Sequence, residues 1–199
     1  GYGGLILGSV VSAVVLQHIS TRCVVTLKIP SWIGGLGMAL IFEAVLSLYA
    51  TIHAERAGSA VINLGNSYRL FGQFPVMLAL WIAGAAAAYL LYCHTPVGIN
   101  VRAIGGDEAV AQMMGINKKR TLMIGAVAGG VFIGLAALIQ LSYGSSMPAK
   151  SGLGSIDTIF KSLATVLLAQ SFGFLMVEPI GILISSFLIM SIFNILTIL

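Results

Sequence analysis

The stretch Phe74–Tyr92 reads FPVMLALWIAGAAAAYLLY, nineteen residues without a charge. A helix of about 20 apolar residues crosses a bilayer core, and this run has that length. It is continuous rather than alternating. That favours a helix over a barrel strand, the two forms that satisfy every backbone group in lipid. The rest of the chain agrees. Of its 199 residues 58% are hydrophobic and 8% charged, whereas a soluble domain carries about 25% charged residues. The mean hydropathy is +1.04. The expected class is an integral membrane protein. The net charge of +4 is small and concentrated in one loop, which argues against a nucleic-acid partner and fits charges that set membrane orientation.

Working outward, Tyr2–Ile19 is a second apolar run, extending towards Val25, and Ile33–Ile52 follows Pro30 and Trp32. Thr121–Tyr143 is a fourth. From Ile156 to Leu199 the apolar character hardly stops, and Glu178-Pro179 divides it into Ile156–Val177 and Ile180–Leu199. A re-entrant or broken element is the other form that segment could take. The expected fold is all-α, a polytopic transmembrane helix bundle of about six spans, with residues 1–199 as one domain. The chain opens on Gly1 with a span directly behind it, so an N-terminal part is expected to precede it. No basic n-region with a cleavage site stands before that span, and it is not read as a signal peptide.

Lysine and arginine orient the bundle. The 93–120 loop holds Arg102, Lys118, Lys119 and Arg120, and this side is taken as cytoplasmic. Arg22 and Lys28 then fall inside as well, while Arg56, Arg69 and Lys150 fall outside and Lys161 lies within a span. Cys23 and Cys93 are both inside, where a disulfide is not expected. His18, His53 and His94 sit on separate segments and form no metal cluster. Ala126, Gly130 and Gly134 repeat every four residues, flanked by Gly125 and Gly129, with Gly4 and Gly8 similarly spaced on the first span. Small residues at this spacing let helices approach closely. Packing within one bundle is the first reading and a subunit interface the second.

The most polar piece is GGDEAVAQMMGINKKR, Gly105–Arg120. Gly105 and Gly106 permit a sharp turn, and Asp107 is a good N-cap. Glu108 occupies the first turn, where the helix dipole favours an anion. Val110, Met113 and Met114 form one apolar stripe, with Ala109 beside them. Gly115 suits the left-handed C′ position. The pattern encodes a short helix outside the membrane with a methionine-rich face. That face is either an adaptable docking surface or one resting on lipid; the residues alone leave both open.

The run TPVGINVRAIGGDEAVAQMMGINKKR, Thr95–Arg120, resembles the cytoplasmic loop of permease subunits in binding-protein-dependent ABC importers, in particular the ribose and simple-sugar branch. Thr95, Gly98, Ala103, Ile104, Gly105, Gly106, Glu108, Ala109, Ala111, Gly115 and Ile116 match, and Asp107 stands where asparagine is usual. LKIPSWIGGLGMALIFEA, Leu27–Ala44, is similar to a second segment of that family. The C-terminal stretch VLLAQSFGFLMVEPIG, Val166–Gly181, departs from it by lacking the glycine pairs found there. The resemblance implies that the 93–120 loop is a coupling element whose helix sits in a cleft on an ATPase subunit. It also implies an extracytoplasmic solute-binding protein, a second permease subunit as homo- or heterodimer, and the plasma membrane of a bacterium or archaeon.

No G-x-x-x-x-G-K-[ST] pattern occurs, so ATP hydrolysis is expected on the partner and no cofactor on this chain. Glu43 lies mid-span, where ionisable groups are costly and often functional. It and Gln140 are the candidates for a substrate pathway, with hydrogen-bonded packing as the other reading for Glu43. Asp157 and Lys161 stand four apart and are expected to pair. Trp81 is read as packed or lipid-facing. The expected function is alternating-access import of a small polar solute, a sugar first, with nucleosides and branched-chain amino acids open. A secondary transporter or channel working without an ATPase is the alternative class, although such carriers use polar sites on broken helices and few are visible here.

Overall fold

Lipid offers the backbone no hydrogen-bond partners, so each apolar run must close its bonds internally as helix. The computed structural model describes residues 1–58, 61–63, 68–144, 146–148, 154–173 and 176–198. Helix α1 covers Tyr2–Leu27 and α2 Ser31–Ala57, joined by a turn in which Lys28 is left-handed at φ 53°. After strand β1 (Val61–Asn63) and a 3-10 turn at Leu70–Gly72 comes α3, Val76–His94. Two shorter helices follow, α4 (Pro96–Gly106) and α5 (Glu108–Met113), then α6 (Lys118–Gly144). Strand β2 (Ser146–Pro148) precedes α7 (Ile156–Ser171) and α8 (Glu178–Ile198).

Among the described residues, α1, α2, α3, α6 and α8 are long and apolar enough to cross a membrane. The expected span Ile156–Val177 differs, because α7 ends at Ser171. Its 16 residues reach about 24 Å at the helical rise, short of a core of about 30 Å. Phe172 and Gly173 donate back to Ala169 and Gln170 at 3.1 and 3.0 Å, closing the helix with tight turns. Lys150 and Leu199, and Phe174 and Leu175 within the C-terminal stretch quoted above, lie outside the described residues. The other departure is small: β1 and β2 pair antiparallel, with Ile62 opposite Met147. The architecture is a polytopic helical bundle.

The tightest pairing is α1 against α6. A Cβ on Gly130 would lie 2.7 Å from Val14 Cα, and one on Gly134 2.6 Å from Val10 Cα. Ala126 is buried in line with them. The small-residue stripe therefore packs inside the bundle. Gly4 and Gly8 do not join it and have no atom within reach of an added Cβ. At the end of α6 near Gly144, buried Ser142 donates to Tyr68 O at 2.5 Å and accepts from Gly72 N at 3.1 Å. Tyr2 stacks edge-on against Tyr68 and Phe71, at 5.4 and 5.5 Å between ring centres. These contacts fasten one end of the bundle. The α4–α5 pair lies beyond the other.

Helix α7 packs on α8, and α8 on α3. Thr165, Ala169 and Ser185 are buried, and a Cβ on Gly181 would make ordinary contact with Ala169, 3.4 Å from its carbonyl oxygen, so this pairing is looser than that of α1 on α6.

Candidate functional site

The segment between α3 and α6 is two helices, not the single one read from its polar half. Thr95 is the N-cap of α4, accepting from Gly98 N, and Pro96 sits at the first helical position, where its missing N–H costs nothing. The Thr95 hydroxyl also donates to Leu91 O at 2.5 Å. Gly98 is buried against the Tyr92 and Leu91 carbonyls, too close for any Cβ. Helix α4 is therefore clamped to the end of α3. The Thr-Pro pair was the available signal for it.

Gly105 and Gly106 are the last residues of α4, and Asp107 turns the chain into α5 with extended backbone, φ −152°. Asp107 Oδ1 accepts from Ala109 N at 2.8 Å and Val110 N at 3.1 Å. At the other end Gly115 has φ 83°. Its N–H donates to Gln112 O, and that of Ile116 to Ala111 O, a Schellman closure. Glu108 binds Lys118 Nζ at 2.5 Å and accepts from Gln112, tying α5 to the start of α6. Ala111 is 1% exposed and faces inward, while Val110, Met113 and Met114 are 49%, 82% and 74% exposed. A helix of six residues is fixed at both ends, yet turns its largest apolar side chains outward.

A polar node that sequence reasoning missed lies beside α4. The Tyr92 hydroxyl, at the end of α3, donates to Glu178 Oε2, at the start of α8. The Arg102 guanidinium of α4 sits 5.2 Å above the Tyr92 ring. Next to it, a half-open pocket of about 330 Å³ lies among α3, α4, α6 and α8, lined by Val97, Val101, Gly129, Phe132 and Ile182 among others.

Glu43 lies midway along α2 and is 7% exposed. Its two carboxylate oxygens accept from Gly154 N and Ser155 N, each at 2.9 Å, at the entry to α7. Gln140 is exposed on α6. Lys161 pairs with Asp157 at 2.7 Å and lies 4.8 Å from the Phe193 ring centre. Trp81 is exposed on α3. Among the described residues, no group of three or more His, Cys, Asp and Glu could hold a metal ion.

Among the described residues, five helices of membrane length, with a capped helix pair between two of them, mark a multi-pass membrane protein. The family described as branched-chain amino acid transport system, permease component, matches residues 2–199, and the chain belongs to it. Similar proteins include the ribose import permease protein RbsC of Escherichia coli, 32% identical over 174 residues, which cover 81% of this chain and 52% of that protein. The fructose import permease protein FrcC of Rhizobium meliloti is 28% identical over 71% of this chain and 42% of its own length. The nucleoside permease NupB of Lactococcus lactis is 28% identical over 62% and 30%. The chain thus spans about half the length of the ribose permease it matches. No solved structure matches it.

Proposed function

We propose that this chain belongs to the membrane-spanning subunit of a binding-protein-dependent ABC importer for a small sugar. In this reading α4 and α5 face the cytoplasm of a bacterium or archaeon, and α5 docks in a cleft on a separate ATPase subunit. A solute-binding protein delivers the substrate from outside, and a second permease subunit completes the pore. Gly105, Gly106 and Asp107 set the angle of α5, and Glu108 and Gly115 hold its ends. Ala109 lies on its outer surface, and Val110, Met113 and Met114 make the contact. Glu43, its oxygens taken by Gly154 and Ser155, anchors α7 beside the path. Gln140 is free to meet a passing solute.

The observation that carries the proposal is the outward face of α5, with Met113 82% exposed on a helix closed at both ends. The ribose and fructose relatives support a sugar; the nucleoside relative supports the second reading, a ribose-bearing nucleoside. Burying one such side chain is worth about 1.5–3 kcal/mol. Met113→Asp with Met114→Asp should therefore leave the protein in the membrane but strip the ATPase from it during co-purification. Full ATPase association and full uptake in that variant would end the coupling assignment.

A further inference from the structure

Helix α4 cannot move alone. Its Thr95 hydroxyl is bonded to Leu91 O, and Gly98 is seated on the Tyr92 and Leu91 carbonyls. Any displacement of α4 therefore displaces Tyr92. Residues of α3, α4, α6 and α8 line the half-open pocket of about 330 Å³, and at its edge Glu178 holds α8 to Tyr92. The Arg102 guanidinium over the ring adds a cation–π contact from α4 itself. A void beside a helix matters because packed elements shift between discrete arrangements only where there is space to fill. Helix α8 packs on α7, so the two form one hairpin. Helix α7 in turn is gripped at its start by Glu43.

We propose that Arg102, Tyr92 and Glu178 form the link through which displacement of α4 and α5 reaches the α7–α8 hairpin, with the pocket taking up the movement. This rests on the docking of α5 proposed above. These are positioning residues: none needs to touch the transported solute. The link works because one directional hydrogen bond, from the Tyr92 hydroxyl to an oxygen of residue 178, joins α3 to α8 beside a mostly apolar pocket.

The test uses the complete permease bound to its ATPase in lipid nanodiscs, with Cys23 and Cys93 replaced and spin labels at Ile133 on α6 and Phe187 on α8, both exposed. The unmodified link should give a change in the α6–α8 distance distribution when MgATP is added. Tyr92→Phe and Glu178→Ala should abolish that change while the ATPase stays bound. Glu178→Gln, which still accepts from the Tyr92 hydroxyl, should restore it. Gly129→Leu, at a position with open space around it on the pocket wall, should suppress it by filling that space. A MgATP-dependent change that persists in Tyr92→Phe, or is absent with the link intact, overturns the proposal. So does a Glu178→Gln variant as defective as Glu178→Ala. Loss of ATPase binding in the Met113 and Met114 variants bears on the docking of α5 instead, so the two proposals fail in distinguishable ways.

Discussion

Asp107 and Gly115 set the length of α5 from its two ends, one by accepting two N–H groups and the other by taking φ 83°. Asp107→Ala should cost about 0.5–2 kcal/mol of local stability, and asparagine at this position very little. Hydrogen exchange at the Ala109 and Val110 amides should accelerate in the alanine variant; unchanged protection would mean the cap does not hold the helix. Both residues were legible in the sequence because their work is done within four or five positions. For Glu43 the sequence left a substrate path and hydrogen-bonded packing both open, but did not reveal its partners. They lie 111 and 112 residues away, and no local pattern announces a carboxylate that caps another helix. Glu43→Ala would remove two part-buried hydrogen bonds at the start of α7, and a hydrogen bond to a charged group contributes about 1.5–3 kcal/mol. Thermal unfolding in detergent should fall by several degrees, with Glu43→Gln in between. Equal melting of Glu43→Ala and the unaltered protein would show that the contact contributes nothing.

Apolar continuity placed α1, α2, α3 and α6 in the sequence to within a few residues, because membrane length leaves little choice. At Ile156–Val177 it left both a span and a re-entrant or broken element open, and the short α7 departs from the span. The run stays apolar past Ser171, and composition cannot register that the chain turns at Phe172 and Gly173. Helix α4 was hidden behind its polar neighbour, although Thr95 and Pro96 carried an N-terminal signal. The glycine stripe was readable in spacing but not in partner: Gly130 and Gly134 meet Val14 and Val10, while Gly4 and Gly8 meet nothing. That contrast is testable. Gly134→Val must push α1 off α6 and should lower stability by about 1–3 kcal/mol, the usual cost of overpacking. Gly8→Ala should leave unfolding unchanged or slightly improved. Equal effects at the two sites would mean that α1 and α6 do not pack as described.

For the whole molecule, lysine and arginine bias predicts that the α4–α5 end faces the cytoplasm. A membrane-impermeant thiol reagent should then spare Cys93 in intact cells and label it after permeabilisation, while a cysteine at exposed Glu55, towards the other end of α2, should react from outside. Labelling of Cys93 in sealed cells would reverse the orientation. With the orientation fixed, the central question is what covers the methionine face of α5. A photo-crosslinking amino acid at Met113, in membranes holding the complete transporter, answers it directly. The expected product is a covalent adduct with the ATPase subunit, diminished when Gly115→Val distorts the end of the helix. Adducts with lipid alone, while the ATPase still co-purifies with the permease, would contradict the coupling role of α5.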